Sequence, residues 1–220
     1  MEISDGSCST ASMSCTLGDL SQPDGSASLT HGNTQVAAAV YGPCEVRLSK
    51  EFPDRATIEV IHKPKVGLPR CEDKLRETLL RSIFETAALT ALHPRSSIQI
   101  IIQEIEDQGG LLATSINAAC LALLDASISM KFLVAAVTAK VKHDGSVLLL
   151  PQEGSTEKDS LGIITFVFRE PDKSVVCSFT SVGTLSLQQR NQCLSLCQEA
   201  CDTVFKFYRE CLENKFSKIK

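Results

Sequence analysis

The stretch Gln103–Lys131 reads QEIEDQGGLLATSINAACLALLDASISMK, and the rest of the chain is arranged around it. It opens as the end of an apolar strand, turns at Gly109-Gly110 and continues as an apolar helix. Glycines between a strand and a helix let the backbone approach a ligand, and the free N–H groups of the first helical turn favour an anion such as phosphate. The same pair also makes an ordinary tight connection. Two glycines do not separate these readings, so the flanking sequence must.

Upstream, Ser97–Glu106 is a strand that stays apolar for much of its length. Before it, Glu72–Leu92 repeats apolar residues at helical spacing, which predicts a helix with Leu75, Leu79, Ile83, Ala87 and Leu92 on its inner face. His93-Pro94-Arg95 stops it. Further back, Pro23-Asp24-Gly25 and His31-Gly32-Asn33 are turns around the strand Ser26–Thr30, and Thr34–Tyr41 is a longer strand ended by Gly42-Pro43. Ala56–His62 alternates and reads as the third strand of an antiparallel meander. Met1–Thr16 is small, polar and expected to be flexible. Downstream, Lys131–Lys142 and Ser146–Leu150 are strands turned at His143-Asp144-Gly145. After a polar loop, Leu161–Phe168 and Ser174–Ser181 are two more, and Leu185–Lys215 is a long helix capped near Thr184 or Ser186. The order βββ-α-β-α-ββ-ββ-α predicts an α+β fold: a duplicated β-rich unit with helices packed on mixed sheets. The domain plan is a flexible segment 1–16 and one domain, 17–220.

Composition narrows the function. The chain has 220 residues, 43% of them hydrophobic, and a formal net charge of −4. Nothing here supplies a global basic field, so nucleic acid would meet a local patch or a larger assembly. The 10 cysteines form no C-x-x-C pair. Cys193, Cys197 and Cys201 recur every helical turn, which suits core packing rather than zinc, and no metal ligand set is assigned. Met1–Cys15 lacks the apolar core of a signal peptide, and no segment is apolar enough to span a membrane. A reducing compartment with free thiols is the expectation.

Two longer motifs carry a family pattern. PDGSASLTHGNTQVAAAVYGP, from Pro23 to Pro43, resembles the opening signature of the RNase PH family. LHPRSSIQIIIQEIEDQGGLLATSINAACLALLDASISMKFLVAAVTA, from Leu92 to Ala139, resembles its second, which includes P-R-S, a Gly-Gly turn and S-x-I-N-A-A. Between them stands V-I-x-K-P-K-x-G, at Val60–Gly67. The resemblance implies an RNase PH-like fold. It also implies a place in the six-membered ring of the eukaryotic exosome, beside other RNase PH-like subunits and cap subunits, with single-stranded RNA threaded 3′ end first. Nucleus, nucleolus and cytoplasm are the locations implied, and rRNA processing is among the roles. Active members carry out phosphorolysis with inorganic phosphate as co-substrate and Mg²⁺.

The resemblance also marks departures. Active members follow the glycine pair with Thr-Arg, whose hydroxyl and guanidinium grip phosphate. Here Leu111-Leu112 follow, leaving only backbone N–H groups at Gly109 and Gly110. The family's acidic pair falls on Leu148-Leu149-Leu150-Pro151, and Asp159 is the best remaining candidate for a catalytic acid. Lys63, Lys65, Arg70, Lys74, Arg76 and Arg81 gather where the family faces its substrate channel, with Glu72, Asp73, Glu77 and Glu85 among them; Arg95 is a further cation. Lys74, Arg76, Arg81 and Arg95 are thus candidate RNA contacts, and an ordinary solvated helix face stays open as the other reading. Gly25 is expected to supply turn geometry; Asn117 and Asp125 are expected to make structural hydrogen bonds. Two functions remain: an exosome ring subunit with weak or no phosphorolysis, or an active 3′→5′ exoribonuclease that uses Asp159 and Lys74, as a homodimer outside the ring.

Overall fold

The structure is a computed structural model that describes residues 12–142, 146–150 and 160–217. Its strands are β1 (Met13–Leu17), β2 (Gly25–His31), β3 (Thr34–Glu45), β4 (Thr57–Lys63), β5 (Ser96–Glu106), β6 (Val134–Lys142), β7 (Val147–Leu150), β8 (Ser160–Arg169) and β9 (Val175–Gly183). Its helices are α1 (Cys71–Ala87), α2 (Leu111–Asp125) and α3 (Leu187–Ser217). The strands form a five-stranded sheet, β1-β2-β3-β5-β4, and a four-stranded sheet, β7-β6-β8-β9.

Helix α2 is the centre of the molecule. It packs on β2 and β3 of the first sheet and on β6 of the second. Every residue from Leu111 to Leu123 is buried, so no polar stripe survives and a continuous apolar run is what its position demands. Of its polar residues, Ser115 Oγ has no hydrogen-bond partner among the described residues, Thr114 Oγ1 donates to Gly110 O, and Asn117 is held three ways. Asn117 Nδ2 donates to Ala136 O at 3.0 Å, its Oδ1 accepts from Ala136 N at 2.8 Å, and Tyr208 Oη of α3 donates to the same Oδ1 at 2.9 Å. β7 pairs with β6 only over Thr138–Val141. The Asn117 amide therefore completes the β6 edge that β7 does not reach. Asp125, at the other end of α2, accepts from Ser26 N and pairs with Lys215. Both residues make the structural hydrogen bonds expected of them.

Helix α3 starts at Ser186, whose Oγ accepts from Gln189 N while Gln189 Oε1 accepts from Ser186 N, a reciprocal capping box. Cys193, Cys197 and Cys201 are fully buried along its inner face. Among the described residues all cysteines are free thiols.

Several expectations need correction. β1 begins inside the segment expected to be flexible, ends one residue beyond it and pairs antiparallel with β2, so the boundary between 1–16 and 17–220 falls within a strand. β4 is not part of a meander. It pairs parallel with β5, at the edge of the sheet. A strand followed by a helix and an adjacent strand makes a crossover, and a crossover returns the chain in the same direction. β3 runs past Gly42-Pro43 to Glu45, with an irregularity between Tyr41 and Cys44 that absorbs the missing proline N–H. Helix α1 ends at Ala87, because Ala88 turns extended and bridges to Met130. Its inner face is Leu80, Ile83, Phe84 and Ala87, while Leu75 and Leu92 stand 48% and 54% exposed. The expected turn at His143-Asp144-Gly145 lies outside the described residues.

His31, at the end of β2, is 5% exposed and its Nδ1 has no hydrogen-bond partner. Burial pushes its pKa down to about 4 from an ordinary 6.5. Below pH 6.5 the unfolded chain takes up a proton that the native site refuses, so stability falls as pH drops from there toward 4. That costs about 2–3 kcal/mol between pH 7 and 4.5. Urea titrations at the two pH values should show His31→Phe losing less by that amount; an equal loss in both proteins would remove His31 as the cause.

A candidate RNA-end cleft at the glycine turn

The Gly109-Gly110 turn is held from three sides. Gly109 has φ 111° and Gly110 φ 73°, left-handed values that favour glycine. Thr34 Oγ1 donates to Gly109 O at 2.9 Å and accepts from Gln108 N at 3.1 Å. Asp107 Oδ1 accepts from Gly109 N at 2.9 Å. Gly110 is the N-cap of α2 and has no side-chain cap, so the first N–H groups of the helix open toward the turn.

A cleft of about 260 Å³ opens beside it. Leu75 and Arg76 of α1, Gly110, Leu111 and Leu112 form one side. The second sheet forms the other, through Thr138 of β6, Thr165 of β8 and Phe179 and Ser181 of β9. Thr138 Oγ1 and Thr165 Oγ1 lie 2.9 Å apart. Leu111 and Leu112 are 4% and 8% exposed, so aliphatic carbon sits where the family places its phosphate grip.

The charges around the cleft largely cancel. Arg76 Nη1 binds Asp73 Oδ1 at 2.9 Å, and Asp73 also accepts from Arg70 N at 2.8 Å. His62 Nδ1 is 3.7 Å from the same carboxylate. Burial and the Arg76 charge push the His62 pKa down, so it adds no cation. Burial and the neighbouring Asp107 push Glu104 up. Arg76 is thus held by Asp73, with the Glu104 carboxyl also within reach of its charge, and no strong anion grip remains.

The predicted cations separate into three places. Arg76 reaches the cleft. Lys74 pairs with Glu77 at 2.9 Å, and with Arg81, two turns on, it stands on the exposed face of α1. Arg95 lies at the far end of β5, roughly 33 Å of strand from the glycine turn. It faces Glu51 at 3.6 Å, and its φ of 59° marks it as a turn residue. The structure does not bring Arg95 to the cleft. Asp159 and the acids Glu153 and Glu157 lie outside the described residues.

The Mg²⁺ and phosphate of the family can be tested against the donors present. Among the described residues no three His, Cys, Asp or Glu side chains are arranged to hold a metal. Asp107 already accepts from Gly109 N, and Leu111 and Leu112 offer phosphate nothing but backbone. The described donor set fits neither group well.

Sequence reading missed the second-sheet wall, Thr138, Thr165, Phe179 and Ser181, and it did not pair Asp73, noted as one of four nearby acids, with Arg76. It also missed Lys140, 2% exposed and two residues along β6 from Thr138, hence on the same strand face. None of them stands in a motif that joins it to the glycine turn. A lysine set within a mostly apolar strand was the one available signal.

Comparison with known proteins places these features in a lineage. Residues 11–129 match the profile of the 3′ exoribonuclease family, domain 1. The chain is 36% identical over 171 residues to the exosome complex exonuclease RRP46 homolog of Arabidopsis thaliana, covering 78% of this chain and 71% of that protein. It superposes on the crystal structure of rice (Oryza sativa) Rrp46 with a TM-score of 0.87 at 31% identity, over 93% of this chain and 96% of that one. An Archaeoglobus fulgidus exosome with RNA bound to the active site shares the fold, with a TM-score of 0.77 at 18% identity over 91% and 89%.

Proposed function

The chain belongs to the RNase PH family of 3′ exoribonucleases, and from that premise we propose that it is a ring subunit of an RNA exosome that supports 3′→5′ RNA processing and decay without efficient phosphorolysis of its own. Relatives that are named exosome components support the assembly. Other RNase PH-like subunits and cap subunits are its partners, and the RNA substrates include rRNA. It works in the nucleus, the nucleolus and the cytoplasm.

One observation carries the weak-activity reading: Leu111 and Leu112 fill the first turn of α2, and Arg76, the cation that lines the cleft, is bound to Asp73. Losing a bidentate guanidinium at a phosphate site costs several kcal/mol of transition-state stabilisation, a rate loss of about a hundredfold or more. RNA contact falls instead to exposed cations such as Lys74 and Arg81, which meet phosphates without reading sequence.

The test incubates the purified full chain with single-stranded RNA, with and without inorganic phosphate and Mg²⁺. The expected result is salt-sensitive RNA binding with no release of nucleoside diphosphates. Binding weakens in Lys74→Glu/Arg81→Glu. Phosphate-dependent release of nucleoside diphosphates that disappears in Asp159→Asn would sink this reading. It would support the second one, an active exoribonuclease, for which a solution mass measurement of the pure chain would test the homodimer outside the ring.

A further inference from the structure

Away from the cleft, two cysteines from opposite ends of the chain meet. Cys15 lies in β1, in register with Leu29 of β2. Cys211 lies near the end of α3, which packs against β1. The contact is anchored one helical turn further on. Lys215 pairs with Asp125, and its Nζ lies 3.5 Å from where a Cβ on Gly18 would stand. Cys15 is three residues before Gly18 and Cys211 is four before Lys215, so the same crossing of strand and helix sets the two thiols face to face.

Both thiols are half-buried and unoxidised. They share a hydrogen bond that pushes Cys15 up and Cys211 down, so Cys211 is the better nucleophile and Cys15 carries the proton. The other α3 cysteines differ: Cys193, Cys197 and Cys201 are fully buried, and burial pushes Cys193 and Cys201 up.

We propose that Cys15 and Cys211 form an oxidation site, which closes to an intramolecular disulfide in the presence of a hydroperoxide and reopens with thiol reductant. The Cys211 thiolate attacks the terminal oxygen of the hydroperoxide. The O–O bond breaks, the alcohol or water leaves with a proton, and Cys211 becomes a sulfenic acid. Cys15 then attacks the Cys211 sulfur. The S–S bond forms, and hydroxide departs as water with the Cys15 proton. Each sulfur loses one electron, and the peroxide takes up two. The new bond ties β1, in the first sheet, to α3, which packs on the second, and it encloses almost the whole described chain in one loop.

The experiment uses the full chain, fully reduced and then exposed to hydrogen peroxide. Peptide mapping is expected to find Cys15 joined to Cys211, with the link lost on dithiothreitol treatment. The oxidised form should melt about 10 °C higher. Cys211→Ser should give neither link nor shift. Cys15→Ser should leave a sulfenic acid at Cys211 that dimedone captures; if none is captured, Cys211 is not the attacking thiol. Cys15→Ala repeats that arm with a different side chain. The proposal falls if Cys15 and Cys211 remain open to alkylation while exposed Cys44 and Cys71 oxidise, or if the main link joins either residue to another cysteine.

Discussion

Gly25→Ala should cost the domain about 3–5 kcal/mol of stability. The position is not a turn, as its Pro-Asp-Gly setting suggests, but the first residue of β2. A Cβ there would stand 2.3 Å from Ala126 N and 2.5 Å from Ala122 O. Those two atoms form the last hydrogen bond of α2, at 2.9 Å, so the clash is with helix backbone and no rotamer relieves it. The helix would have to move off β2, which would also strain the bond from Ser26 N to Asp125 Oδ2. Because α2 is rigid and buried along its length, the displacement would reach Gly110 and the cleft at its other end. Urea denaturation measures the cost. Adding Ala126→Gly should recover little, since the methyl of Ala126 is only the third contact, at 2.7 Å. Full rescue, or a cost below about 1 kcal/mol, would show that the helix does not rest on the strand in this way.

Asn117→Ala is expected to cost about 3–4 kcal/mol. Its side chain satisfies Ala136 N, Ala136 O and Tyr208 Oη, all in the dry centre of the molecule. Truncation strands the backbone groups at an edge of β6 that β7 does not cover, and it leaves a cavity. Tyr208 keeps a second acceptor, Val134 O at 3.3 Å, so it is less exposed to the loss. Tyr208→Phe is the matching control. It removes one donor while Asn117 keeps its backbone partners, so it should cost about 1 kcal/mol. Equal costs for the two variants would mean that Asn117 holds the tyrosine, not the sheet.

Legibility followed the range of the physics. The helix start of α3 near Ser186 and the cysteine stripe rest on residues within a turn or two of each other, and the sequence displayed them. That Asn117 is structural was also legible, but its partners Ala136 and Tyr208 were not, because the fold brings them from far along the chain. The inner face of α1 was read less well. Ile83 and Ala87 are buried and Leu79 packs against the core as read, but Leu80 and Phe84 complete the inner face, Leu75 is exposed, and Leu92 lies beyond the helix, which ends where Ala88 bridges to Met130. The cleft was half visible. Gly109, Gly110, Leu111 and Leu112 are contiguous and matched a family pattern. Its other wall comes from β6, β8 and β9, which no spacing in the chain joins to the glycine turn.

By itself, then, the sequence determined the order of strands and helices from β2 onward, the glycine turn before a largely apolar helix, and the replacement of a phosphate grip by two leucines. Backbone conformation and side-chain chemistry are local properties, written at the positions that carry them. The tertiary structure alone decided that β4 runs parallel to β5, that Arg76 is held by Asp73 while Arg95 lies a strand's length away, and that Gly25 is required by a helix a hundred residues on. Whether a cation is available, or a glycine replaceable, depends on which groups the fold brings within a few ångströms, and only the packed chain sets those distances.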